Sequence, residues 1–279
     1  MEIIITEHII AEFVHNLKED EKSKATIEKY SSILRKLMLW LDGRNFGKQQ
    51  LTDYRDYLLQ SQTASTVNGV LSAVNSWMTY AGIEGCRIRH LKVQRRAFCS
   101  VKKEISRGEY NKLLHTAKRH GNERLYYAME TICSVGIRAS ELKYITVEAV
   151  ERGRADIDLK GKNRTILLPE KLCRKLKRYA GKHKITSGPI FLSRNGNAMS
   201  RKQVWTEMKS LCGSADVDAG KVFPHNLRHL FARCFYKATH DVAKLADVLG
   251  HSSMETTRIY LVTSGEEHIR VLDSLQLVL

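Results

Sequence analysis

Apolar positions recur at helical spacing through the first 82 residues. Ile9, Ile10, Phe13, Val14 and Leu17 share one face of a segment that Thr6 can cap and that runs to Glu19. A longer helix is predicted from Ser23 to Asp42, ending at Gly43, and a third from Gln49 to Gln60. The fourth spans Ala64 to Tyr80, with Val67, Val70, Leu71, Val74 and Trp77 on one side and a stop at Gly82. Four helices of this size can close around a small core of their own. Periodicity then weakens from Gly85 to Lys103 and resumes at Arg107–His120 and Glu123–Val135.

Two short apolar segments, Ala155–Leu159 and Thr165–Leu168, flank the turn Lys160-Gly161-Lys162-Asn163 and predict a β-hairpin. Further helices are expected at Pro169–Lys182, Arg201–Cys212, Pro224–Ala238, Asp241–Leu249 and Ser253–Val262. The pattern as a whole is mainly α with a small β-hairpin element. It divides into a helical domain over residues 1–84, an inter-domain linker over 85–105 and an α+β domain over 106–279. No internal repeat or low-complexity segment interrupts it.

Charge adds a partner to this picture. The chain has 279 residues and carries 46 Lys and Arg against 30 Asp and Glu, a formal +16. The excess is local: residues 1–50 balance at 8 and 8, residues 151–200 carry 13 basic against 4 acidic, and the last 29 carry 2 against 4. Arg87, Arg89, Lys92, Arg95, Arg96, Lys102 and Lys103 follow one another with no acid between them. One basic run is ordinarily a solvated face, but two clusters in so basic a chain point to phosphate contacts with a polyanion, nucleic acid first and an anionic membrane surface second. With 43% hydrophobic residues the chain can build real cores, and it has no apolar run of membrane-spanning length. Its start, Met1-Glu2, lacks a secretory n-region. The six cysteines form no Cys-x-x-Cys pair, so reduced, mostly buried thiols in a cytoplasm are expected rather than zinc ligands or disulfides.

Candidate chemistry gathers near the C-terminus. Pro224 opens a helix in which Leu227, Leu230, Phe231, Cys234, Phe235 and Ala238 form an apolar stripe, placing His225, Arg228 and His229 on the opposite face. A neutral-range acid/base beside a guanidinium fork near a helix N-terminus suits an anion. Gly250 can end the next helix, Ser252 and Glu255 form a capping box, and His251 falls in the joint between them. Tyr260 follows about two turns into the last helix.

The series His225-x-x-Arg228-His229, Leu249-Gly250-His251 and Tyr260 closely resembles the C-terminal catalytic box of the tyrosine recombinases, the phage-integrase and Xer-type family. Upstream, Gly136-Ile137-Arg138-Ala139-Ser140-Glu141-Leu142 resembles that family's first arginine box, and Lys160-Gly161-Lys162 its β-hairpin lysine. The four boxes stand in the family's order across residues 106–265, and the N-terminal helices are similar in pattern to its core-binding domain.

The resemblance implies a catalytic domain in which Tyr260 attacks a backbone phosphate to give a 3′-phosphotyrosine and a free 5′-hydroxyl. It further implies that Arg138 and Arg228 clamp the non-bridging oxygens, His225 assists proton transfer, His251 hydrogen-bonds the phosphate and Lys160 protonates the leaving oxygen. Glu141 matches a supporting acidic position. Lys162 shares the turn and is the alternative to Lys160. The partner implied is double-stranded DNA, bound by a monomer that becomes a homotetramer on synapsed DNA, with no metal or nucleotide cofactor. Arg87, Arg89, Arg95, Arg96, Lys102 and Lys103 are the expected contacts of the linker with the DNA backbone.

With two domains read from residue 1 onward, the chain is expected to stand nearer the short two-domain members of that family. The amphipathic tail His268–Leu275 packs either on its own domain or on a neighbouring protomer. Two other activities fit the same boxes: a topoisomerase-IB-like enzyme that relaxes one duplex, and an inactive recombinase scaffold that only binds DNA.

Overall fold

The computed structural model describes residues 4–93, 104–159, 162–251, 253–258, 260 and 273–275. The chain divides into two compact units, Met1–Arg95 and Arg96–Leu279.

The first unit contains α1 (Glu7–Glu19), α2 (Lys24–Leu41), α3 (Lys48–Leu59) and α4 (Ala64–Tyr80). The hydroxyls of Thr6, Ser23 and Thr63 cap α1, α2 and α4 by accepting N–H groups that would otherwise face water. Ile10, Phe13, Leu34, Leu37, Leu71 and Trp77 are fully buried between the helices, each such side chain contributing roughly 1.5–3 kcal/mol. Phe46 meets Trp77 edge-on, centroids 5.0 Å apart.

The start of the basic stretch is fastened to α4. Asn68 donates to the Leu91 carbonyl at 2.9 Å and accepts the Leu91 N–H at 2.7 Å, Asn75 donates to the Ile88 carbonyl at 3.1 Å, and Ile88 is buried. Arg87 and Arg89, on either side of Ile88, are exposed. Arg95, Arg96, Lys102 and Lys103 lie outside the described residues.

The second unit opens with α5 (Arg107–Arg119), whose capping box between Ser106 and Glu109 is complete, and α6 (Glu123–Val135). A 3-10 helix, Ala139–Tyr144, and α7 (Val147–Arg152) follow, neither expected from the sequence because both are too short to show a period. Then come β1 (Arg154–Leu159), β2 (Lys162–Leu167), α8 (Glu170–Lys182), α9 (Arg201–Ser210), α10 (Cys212–Ala215), α11 (Pro224–Thr239), α12 (Val242–Leu249) and α13 (Met254–Arg258). The main core gathers Leu113, Met129, Ile132, Leu142, Ile157 and Phe191, and Leu249 and Tyr260 belong to a smaller cluster under α11 and α12.

Five expectations change. Lys162 is in strand β2, paired with Leu159, so the connection is only Lys160-Gly161; the ladder is a backbone property and extends past the apolar residues that signalled it. The helix expected over Arg201–Cys212 breaks at Leu211 into α9 and α10. The last helix stops at Arg258 and Tyr260 stands in a turn, its N–H donating to the Thr257 carbonyl at 3.0 Å; the remainder of that expected helix, like Ser252 of the expected capping box, lies outside the described residues. On α11 the stripe rotates: Cys234 and Ala238 are exposed, whereas Arg228 is buried because distant carbonyls receive its guanidinium. Of the described cysteines only Cys173 and Cys212 are buried, with Cys86 and Cys133 half-buried and Cys234 exposed.

Candidate active site

Gly136 ends α6 in left-handed backbone, φ +66°, and swings the chain toward Arg138. A Cβ there would lie 2.3 Å from Phe231 Cδ1, so both conformation and clearance demand glycine. Glu141, buried and three residues past Arg138, accepts the Arg138 backbone N–H and its Nη1, each at 2.8 Å. The same carboxylate accepts Arg164 Nη1 at 3.1 Å.

Pro224 at the first position of α11 needs no N–H partner and presets the helix. Arg228, one turn in, is 1% exposed. Its Nη1 donates to the Gly136 carbonyl at 2.7 Å, and its Nη2 donates to the Leu249 carbonyl and to His251 Nε2, both at 2.7 Å. Arginine only donates, so Nε2 accepts and the His251 proton sits on Nδ1, 2.8 Å from the Thr257 hydroxyl. Arg228 Nε and His229 Nδ1 are buried without a protein partner.

Around Tyr260, which is buried, stand three imidazoles: His229 at 4.3 Å between ring centroids, His251 at 5.4 Å and nearly parallel, and His225 at 5.6 Å. The Arg228 guanidinium lies 5.9 Å from the Tyr260 ring centre. Burial, then neighbouring positive charge, pushes His229 and His251 down to about 4. His225 is lowered for the same reasons, burial first and then Arg228 and Arg138. Burial also lowers Arg228, Arg138 adds to this, and Tyr260 counters it. The corner therefore holds neutral imidazoles at pH 7 beside three guanidiniums, Arg138, Arg164 and Arg228, with the Glu141 carboxylate among them. That excess of fixed donors and positive charge suits a phosphate-sized anion. Among the described residues no three His, Cys, Asp or Glu are grouped to hold a metal ion.

The structure thus brings Arg228, His225, His251 and Tyr260 together, with Arg138 held at the rim through Glu141. Lys160 lies outside the described residues. Sequence reasoning missed Arg164, whose spacing from its partners carries no local signal, and placed His229 on the site face without giving it a role.

The model of the phage integrase family matches residues 103–267. The chain is 26% identical over 263 residues to tyrosine recombinase XerA of Pyrococcus furiosus, covering 90% of this chain and 88% of the relative. It is 26% identical to tyrosine recombinase XerD of Xanthomonas campestris, covering 91% and 86%. Among solved structures, a lambda integrase dimer bound to a COC′ core site superposes with a TM-score of 0.73 at 16% identity, covering 92% of this chain and 77% of that one. XerH bound to palindromic difH substrate in a post-cleavage complex gives 0.70 at 18% identity, covering 88% and 78%. Mostly helical units with, among the described residues, a two-stranded hairpin have the fold of tyrosine recombinases. The chain belongs to the phage integrase family, and its activity is that of a tyrosine-type DNA recombinase.

Proposed function

We propose that the chain cuts and rejoins duplex DNA at specific sites through a covalent phosphotyrosine at Tyr260. The observation that supports this most is the meeting of Tyr260 with a buried, fully oriented arginine and three neutral imidazoles. The Tyr260 oxygen attacks phosphorus while the bond from phosphorus to the 5′-oxygen breaks. The phenolic proton passes to His225, whose lowered affinity leaves it neutral and able to accept. Arg138 and Arg228 neutralise the charge that develops on the non-bridging oxygens, His251 adds a hydrogen bond, and Lys160 gives a proton to the leaving oxygen. The 3′-phosphotyrosine keeps the ester, so a second 5′-hydroxyl can reverse the step on another strand without metal or nucleotide.

Arg87 and Arg89, with Arg95, Arg96, Lys102 and Lys103, supply backbone contacts to the duplex. A lambda integrase tetramer bound to a Holliday junction shares the fold with a TM-score of 0.70, which supports a homotetramer of this chain on two synapsed duplexes; away from DNA the chain is proposed to be a monomer. Covalent trapping in EDTA tests the reading. Nicked duplexes, including those flanking the chain's own gene, are incubated with wild type and with Tyr260→Phe. An SDS-resistant adduct on a 3′ end is expected with wild type alone, and an equal adduct with Tyr260→Phe removes Tyr260 from the role.

A further inference from the structure

Arg164 links three parts of the site that are far apart in sequence. It stands on β2 opposite Ile157, two rungs from the last pair, Leu159 and Lys162, that closes the two-residue connection. Its side chain is 11% exposed. Nη1 donates to Glu141, on the same oxygen that takes the Arg138 N–H, and Nη2 donates to the Val248 carbonyl at 2.7 Å. Gly250 leaves room for it, since a Cβ there would lie 2.3 Å from Arg164 Cδ and 2.8 Å from Nε. Burial brings the guanidinium down to about 10, with Glu141 opposing, and it remains charged at pH 7.

A two-stranded hairpin is marginal alone and takes its orientation from what it packs on. Ala155, Ile157 and Ile166 supply the buried side of this one, and Leu167 is exposed. Among rungs whose side chains are described, Ile157 and Arg164 form the one nearest the connection. A hydrated surface hairpin has no need of a desolvated arginine, whereas one that must meet two other segments in fixed register does.

We propose that Arg164 is a positioning residue: it fastens the hairpin to Glu141 and to the joint before His251, so that the proton donor carried by the hairpin and the arginine clamp address one phosphate. The proposal rests on Tyr260 as nucleophile and Lys160 as donor. Arg164 itself exchanges no proton. The step it serves is cleavage of the phosphorus–oxygen bond, with the proton passing from the Lys160 ammonium to the leaving oxygen.

The test replaces that leaving oxygen by sulfur, which departs as a thiolate and needs no proton. Randomised nicked duplexes captured covalently by wild type provide the sequence, which is then resynthesised with oxygen or sulfur at the bridging position. Arg164→Ala is expected to cleave the oxygen substrate about 100-fold more slowly, the scale of a misplaced catalytic group, at unchanged DNA affinity. On sulfur it is expected to return to within about threefold of wild type, as Lys160→Ala does, because the thiol's ordinary pKa of about 8.5 makes it a good leaving group. Arg228→Ala stays slow on both.

If Arg164→Ala does not fold, Arg164→Lys, which keeps the charge but cannot reach both acceptors, shows the same selectivity more weakly. Equal slowing on oxygen and sulfur, unimpaired cleavage of oxygen, or failure of sulfur to restore Lys160→Ala overturns the positioning role while Tyr260 chemistry stands. Absence of any capture by wild type overturns the proposed function and this inference with it.

Discussion

The Arg228 guanidinium meets two main-chain carbonyls and an imidazole while 1% exposed, so its removal leaves several acceptors desolvated and unpaired. Arg228→Ala is therefore expected to lower stability by about 3–5 kcal/mol, read as a shift in the urea midpoint at constant slope. Lysine at this position recovers little, since one ammonium cannot span three directions. His229 and His251 add a pH dependence. Each is held at about 4 when folded against an ordinary 6.5, so the unfolded chain binds more protons between those values. Stability is accordingly full above pH 6.5 and falls as pH drops toward 4. Thermal melts across that range test it, and His229→Gln, which cannot titrate, flattens its share of the slope. The sequence showed that these residues share a helix face or a joint, yet not that Arg228 is inside or which nitrogen of His251 carries the proton. Those facts belong to acceptors elsewhere in the chain.

Individual elements were largely legible where a cap or a long period marked them. Thr6 caps the helix it was expected to cap, and Ser23, Thr63 and Ser106 do the same for theirs in the structure. Short pieces were not: the 3-10 helix at Ala139–Tyr144 has too few residues for a period, and its ordering comes from Glu141 bonding back to Arg138. The loop after α4 gives a test of element-level packing. Asn68 holds the Leu91 amide group by both its donor and its acceptor. Asn68→Ala is expected to cost about 1–3 kcal/mol through the orphaned amide. It should also speed trypsin cleavage after Arg87, Arg89 and Lys92, whose side chains are already exposed, as followed by mass spectrometry. Unchanged cleavage would mean that Asn75 and Ile88 hold this segment by themselves.

At the scale of the whole molecule, a charge of +16 makes DNA affinity strongly salt-dependent. Replacing both Arg87 and Arg89 by alanine is expected to reduce the slope of log K against log salt by about 2, and to do so equally for all sequences, because phosphate contacts carry no base readout. A titration series at several salt concentrations measures this, and an unaltered slope removes these two residues from the interface. What the sequence by itself determined was the local grammar: the helices with their caps, the hairpin, the sites of positive charge and the order of the four boxes. These depend on neighbours within a few residues. What only the tertiary structure decided was how the boxes meet. Arg228 reaches a carbonyl 92 positions away and Arg164 one 84 positions away, and the close approach of Phe231 makes glycine obligatory at position 136. The packing of Tyr260 on three imidazoles is likewise a contact between distant segments. Such contacts are set by the packing of distant segments, and no local pattern encodes them.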